Sequence, residues 1–565
     1  MRKLYTFTIT LFVSCIMGVL FAQTNESPAD NSIPKKGFFE SFSVSGDIQT
    51  NMLVAENDSA IGAVKGDKPF KSNSYLRLAV KNDYLETGIR GEYMKNPLPG
   101  FEANYAGAGI GNVYLRGRYK FLDATVGDFY EQFGNGLIFR TYEERNLGID
   151  NSLRGGRIIL KPVQGLTLKA LGGSQRYYFK DRNNTVYGSD LEMNLDEWIS
   201  ALNKNDWKLS IGSSFVSKIE PDEIIMVSGT HALNLPKYVP AFSGRINLQK
   251  SGFVFSTEYA KKWNDPSFDS NYIYKDGSAL LVSTSYSQRG MSFLLQAKRN
   301  ENMSYRSVRS RSGISSFINH MPPFSMQHSY TLAAHYPYAT QRMGEWAFQG
   351  EVRYNIKRRT TLGGRYGADI RASFSHIRGL FDEADYANQN ARGTMGYKPA
   401  FFDMSKETYY QDFNIDLNKK VNNFFSFSLL YMNQIYNQKV VEGHGVNGDI
   451  VKSNVFAGEF KFNFNRKTNL RTELQYLTTK QDLGDWLYAS AELSLFSRLM
   501  LGFSNTYNAG TTKIHYPMAT AAYSYKSHRL QLGYGRTREG ITCAGGVCRL
   551  VPASKGLNIA YNYNF

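Results

Sequence analysis

The chain has 565 residues, rich in Gly (50), Tyr (38) and Phe (37) and poor in Pro (16), Trp (5) and Cys (3), a composition of strands and turns. With 42% hydrophobic and 14% aromatic residues it can bury ample surface, which excludes disorder. A mean hydropathy of -0.40, with no apolar stretch of about 20 residues beyond the N-terminus, excludes a helical membrane bundle but not a membrane barrel, half of whose strand residues face a polar lumen.

Residues 1–22, MRKLYTFTITLFVSCIMGVLFA, place Arg2 and Lys3 before an apolar stretch that ends on the small Ala22, the layout of a secretory signal peptide. A lipid-attachment reading around Ser14 and Cys15 is disfavoured because the apolar stretch runs on through Ile16, Met17, Val19 and Leu20. Removing Arg2 and Lys3 takes the net charge from +17 to +15, which favours anionic neighbours such as lipopolysaccharide phosphates or acidic solutes; a basic lumen with basic loops accounts for it equally well. Residues 23–38 are polar with two prolines, a periplasmic linker too short for a plug domain, and 39–565 form the barrel. Asp58-Ser59-Ala60 resembles the Asp-Ser/Thr-small motif that Bacteroidota use for O-glycosylation, a match too short to assign Ser59.

From there on, period-two alternation recurs between short polar turns. Tight junctions fall near Asn82-Asp83, Lys120-Phe121, Gln164-Gly165, Lys250-Ser251, Arg289-Gly290, Lys357-Arg358, Asn422-Asn423, Arg466-Lys467, Ser497-Arg498 and Ser527-His528. Long connections lie between them at 56–72, 131–154, 218–237, 301–343, 378–404 and 541–554. Short turns on one side and long loops on the other are the plan of a transmembrane barrel, the short side periplasmic. The fold expected is all-β: one large antiparallel barrel of about 24 strands, within 22 to 26. The number is even, because both termini lie in the periplasm. A barrel this wide left open would breach the membrane. With no N-terminal plug, the long extracellular loops 131–154, 301–343 and 378–404 are expected to occlude the lumen.

Charges along the strands keep to one face. Leu362, Gly364, Tyr366, Ala368, Ile370, Ala372 and Phe374 alternate with Gly363, Arg365, Gly367, Asp369, Arg371 and Ser373. A charge facing lipid at mid-bilayer costs about 2–4 kcal/mol, so the charged face is the lumen. Arg116, Arg118 and Lys120 precede a turn, and Arg365 and Arg371 flank Asp369; they form an anion-attracting wall or serve as ordinary hydrating charges. The densest charged stretch is 127–156, with Asp128, Glu131, Arg140, Glu143, Glu144, Arg145, Asp150 and Arg154 spaced by five glycines. It reads either as a constriction with opposed charges or as an inward-folded latch whose Arg–Glu pairs hold a loop to the wall.

No set of catalytic roles assembles. His320, His328 and His335 share one loop, but spacings of 8 and 7 fit no helical metal pair, and G-x-S-x-G, H-E-x-x-H and phosphate loops are absent. No cofactor, metal or nucleic-acid partner is expected. Cys543 and Cys548, in T-C-A-G-G-V-C-R, read as a disulfide at the tip of the last extracellular loop, since exported chains keep cysteines oxidised. The final strand places Leu557, Ile559, Tyr561, Tyr563 and Phe565 on one face. It resembles the terminal strand of outer-membrane barrels, which implies that Tyr561, Tyr563 and Phe565 form the signal read by the barrel-assembly machinery.

Three segments carry a narrower resemblance: GDFYEQFGNGLIFRTYEERNLGIDNSL (127–153), MPPFSMQHSYTLAAHYPYATQ (321–341) and GITCAGGVCRLVPASKG (540–556). Together they resemble a Bacteroidota outer-membrane barrel family defined by the domain of unknown function six-zero-two-nine. The resemblance implies an outer-membrane location and carries no activity onto particular residues. Two functions are expected of such a chain. One is a gated channel or uptake porin for polar or anionic solutes. The other is a non-enzymatic subunit or scaffold of an outer-membrane assembly, secretion or surface-lipoprotein complex, with lipid, lipopolysaccharide and protein partners.

Overall fold

The computed structural model describes residues 41–180, 182, 184–381, 390–443, 448–544 and 547–565. The expected signal peptide and linker lie outside them, as does the Gly545-Gly546 apex. Twenty-four antiparallel strands close on themselves. The first, Ser43–Glu56, pairs with Phe70–Lys81 on one side and with the last, Ser554–Asn564, on the other. The start of the first strand at Ser43 and the C-terminal Phe565 therefore sit at the rim where the short turns lie.

Alternation decides the faces. Along Tyr238–Lys250, Phe242 and Ile246 are 44% and 46% exposed on the outside while Ser243 and Arg245 are buried inside. Along Thr408–Lys420, Phe413 and Ile415 face out, and Asp412, Asn414 and Asp416 face in. With Val126, Phe293, Leu474, Leu501 and Phe503 these form an exposed apolar belt, the surface a bilayer covers and water would not tolerate at that extent.

The tight turns fall where expected, with one exception. Alternation through Leu362 and Gly364 continues no strand. Residues 357–367 fold into a connection in which Gly364 and Gly367 take φ of +60° and +84°, and the strand begins at Ala368. Those values are open to glycine at little cost, so three glycines within five residues break the ladder that the apolar pattern suggested. At the same end, 195–206, where no tight turn was expected, holds a short 3-10 turn and a five-residue helix, Ser200–Lys204.

The inner wall changes character along the barrel axis. Many inward positions near the long loops are apolar, with Val239 and Ala241, Val451 and Val455, and Met432 and Tyr436 all fully buried, and the charges among them, such as Lys218, Lys298 and Glu345, are buried in pairs. Nearer the short turns they are charged, as at Arg353, Asp369, Arg371 and Asp416. One half of the lumen is built to be filled and the other to stay wet.

Candidate functional site

Two loops fill the apolar half. From 130–152 come Phe133, Leu137, Ile138 and Phe139. From 302–343 come Met303, Tyr305, Ile318, Met321, Phe324, Leu332, Tyr336 and Tyr338. Their side chains join those of the wall in one buried cluster, each large one contributing about 1.5–3 kcal/mol relative to exposure. The loops also bond to each other: Arg140 N donates to Ile318 O at 2.8 Å, His320 N to Gly136 O at 2.9 Å, and Asn151 Nδ2 to Phe317 O at 2.9 Å. They form one plug.

Polar side chains pin this plug around the circumference. Lys298 pairs with Glu345 at 2.9 Å and donates to Pro322 O at 2.6 Å and to Thr340. Lys218 pairs with Glu220 and Asp265, and Glu220 receives Arg309 of the plug at 2.7 Å. On the far wall His328 meets Asp412 at 2.6 Å, Leu332 N donates to Gln475, and Gln434 donates to Tyr336 O. Single removal from such a buried pair leaves an uncompensated charge, so the pins enforce one position of the plug.

The sequence-predicted charges of 127–156 divide as follows. Asp128 holds Arg154 at 2.6 Å and Arg182 at 3.0 Å. Glu143 bridges Arg90 of the wall to Arg145, which also reaches Asp47 at 3.1 Å. Asp150 holds both Arg90 and Arg176, and Glu92 holds the same two arginines. Arg140 lies over the Tyr142 ring, and Glu144 accepts from Asn146 N. The Glu143, Arg145 and Asp150 pairs are latch contacts between loop and wall, whereas Asp128–Arg154 joins two wall strands and the Arg140 and Glu144 contacts stay within the loop. The other candidates line the half nearer the short turns: Arg116 on Asp123, Arg118 on Glu86 at 2.7 Å, Arg371 on Asp416, and Asp369 on Arg353 at 2.9 Å. Lys120 and Arg365 are placed differently from the expected lumen wall. Lys120 occupies a tight turn at φ +50°, and Arg365 lies in the 357–367 connection beside Tyr366. Alternation cannot continue through a turn, so neither side chain keeps an inward position.

Cys543 and Cys548 are bonded, joining the hairpin strands Gly540–Ala544 and Val547–Val551. That hairpin folds inward: Val547 packs on Leu147 and Ile149 of the plug, and Arg549 lies 4.0 Å over the Phe101 ring. Tyr561 bonds His528, Tyr563 stacks on the same histidine, and Phe565 closes the rim by exchanging backbone bonds with Gly46. Of the third loop expected in the lumen, 378–404, residues 382–389 lie outside the described ones. Tyr397 there bonds Met343 O at the mouth of the plug.

The sequence offered no sign of the pinning residues Lys218 and Lys298, because an inward lysine reads the same whether water or a loop covers it. Beside the plug a cavity of about 630 Å³ remains, against the strands Ser43–Glu56, His515–Tyr525 and His528–Thr537. Arg145, Thr331, Tyr516, Arg536, Arg538 and Arg549 are among the residues around it.

The chain belongs to a family of unknown function (DUF6029), whose family model it matches over residues 1–565. No curated protein matches it in sequence. Among solved structures, the siderophore receptor PirA from Pseudomonas aeruginosa aligns over 96% of this chain and 82% of its own, at 10% identity and a TM-score of 0.40. A mutant ferric enterobactin receptor, PfeA, from the same organism aligns over 92% and 80%, at 9% identity and 0.41. The translocation pore of the P pilus usher PapC aligns over 92% and 99%, at 11% identity and 0.31.

Proposed function

We propose that this member of the family is a gated outer-membrane channel or uptake porin for polar or anionic solutes, with its short turns and both termini in the periplasm and its long loops outside. The plug carries the reading. Loops 130–152 and 302–343 close the apolar half of the lumen, while the half nearer the short turns is a wet vestibule of partly exposed ion pairs such as Arg77–Asp47 and Arg471 with Glu459, Glu473 and Glu492. A closed mouth over a hydrated vestibule is what a gate requires. The gate is tested by proteoliposome swelling with the intact protein and with Lys298→Met, which strands the buried Glu345 carboxylate and weakens closure by about 3–5 kcal/mol. Swelling is expected to be slow for the intact protein and faster for the variant; equal slow rates for both, with the barrel inserted, speak against a gate.

A second reading, a subunit of a larger outer-membrane complex, is favoured by the rim. Loops 220–237 and 390–407 expose Ile224, Val227, Met395, Phe401 and Phe402, as another loop exposes Phe268, and the first two touch through Arg392 Nη1 to Met226 O. Large exposed apolar side chains gathered on loops suit a protein partner. Stoichiometric copurification in mild detergent is the matching test.

A further inference from the structure

We propose that the cavity beside the plug binds an oxyanion, a carboxylate or phosphate carried on a small hydroxylated solute, through Arg538 and Arg549. This rests on the channel reading for its place along a solute path, and it names the class of solute. The volume of about 630 Å³ is that of a small-molecule site. No acidic residue lines it, whereas four arginines do. Two of these are already engaged: Arg145 with Glu143 and Asp47, and Arg536 with Asp58 at 2.7 Å. Arg538 and Arg549 belong to none of the ion pairs among the described residues.

The contrast with the wall is chemical. Buried Arg90, Arg176 and Arg245 each hold at least two carboxylates. Arg549 instead lays its guanidinium face on Phe101, and its Nε and Nη1 are buried without a hydrogen-bond partner. Arg538 lies 5.8 Å over Trp486, with Nη1 donating only to Glu539 O at 2.9 Å. Burial holds both guanidiniums below the usual arginine range, even with Asp482 and Glu442 acting on Arg538 from beyond ion-pair distance. A stacked guanidinium keeps its edge free for the forked pair of hydrogen bonds that a carboxylate or phosphate accepts. Ser504, Thr506, Tyr516 and Asn558 around the same space offer partners for hydroxyls. Arg538 lies just before the disulfide hairpin and Arg549 on its return strand, which the crosslink orders.

The test is calorimetric titration of the detergent-purified full-length protein at low salt with glucuronate, inorganic phosphate and, as a neutral control, glucose. One saturable site for at least one anion is expected, none for glucose, and affinity at least tenfold weaker in Arg538→Gln/Arg549→Gln. Whichever anion binds identifies the headgroup. Absence of saturable anion binding, or equal affinity in the double variant, overturns the proposal. If the double variant does not insert, Arg549→Lys serves in its place. It keeps the charge and loses the fork, so weaker binding supports the site and unchanged binding overturns it. The channel is measured separately: binding without solute flux leaves the site and removes the channel, while anion flux indifferent to both arginines does the reverse.

Discussion

His320 sits at the seam between the two plug loops, buried beside Arg140, Arg342 and the Tyr142 ring. Burial first, and then those cations with Lys298, holds its pKa down to about 3. His335, packed between Tyr336 and Trp486, is held well below the ordinary value by burial and then by Arg538. Above about pH 6.5 both are neutral whether the plug is seated or released. Below it the released loop takes protons that the seated loop refuses, so closure loses stability as pH falls from about 6.5 toward 3. At pH 5 the loss from His320 is about 2 kcal/mol, and His335 acts in the same direction. Opening events in a planar bilayer should therefore become more frequent between pH 7 and 5, and His320→Gln/His335→Gln should flatten that profile; an unchanged profile in the double variant contradicts the assignment. His328 remains in the variant, facing Asp412. None of this was legible in the spacing of the three histidines, because it depends on which wall covers each ring. Cys543 and Cys548 were legible, since an exported chain keeps a close cysteine pair oxidised, and the structure bonds them. The charges of 127–156 were visible as a group, but their partners Asp47, Arg90 and Arg176 come from three distant segments that no local pattern connects.

Among the elements, the strands were easiest to read from sequence, because a period of two written in Phe, Ile, Asp and Asn assigns each residue to one face, as Thr408–Lys420 shows. The misread segment 357–367 marks the limit of that signal: glycines count as neutral in an alternation and yet permit the backbone to leave it. The change from charged to apolar inward positions along Tyr238–Lys250 was present in the sequence as Val239, Ala241, Ser243 and Arg245. It becomes a sign of a plug only when the long loops are known to reach it. The closing strand carries its own prediction. Phe565 is 47% exposed, and its ring lies against Gly46, whose backbone exchanges two hydrogen bonds with it at 2.9 and 3.0 Å. So exposed a ring contributes less to the finished barrel than the about 1.5–3 kcal/mol of full burial. Phe565→Asp is expected to lower membrane insertion several-fold while leaving the melting temperature of inserted protein within a few degrees. Equal membrane levels for variant and parent would contradict a role for this residue in insertion.

As a whole, the molecule is a wide barrel with a second core inside it. Twenty-four strands enclose more space than side chains of the wall can fill, and the chain supplies the filling from its own connections. Strand number and occlusion follow from length, turn spacing and the long connections between the strands. The division of the lumen into a filled half and a wet half, and the arginine-lined gap between plug and wall, follow from tertiary contacts alone. The most direct measurement is planar-bilayer conductance of the purified protein beside a variant lacking residues 303–340, with insertion of both verified by heat-modifiable mobility. The intact barrel is expected to stay near zero conductance at neutral pH, and the deletion to open a large, steady, anion-preferring pore. A large steady conductance from the intact protein that the deletion does not raise would contradict the plug.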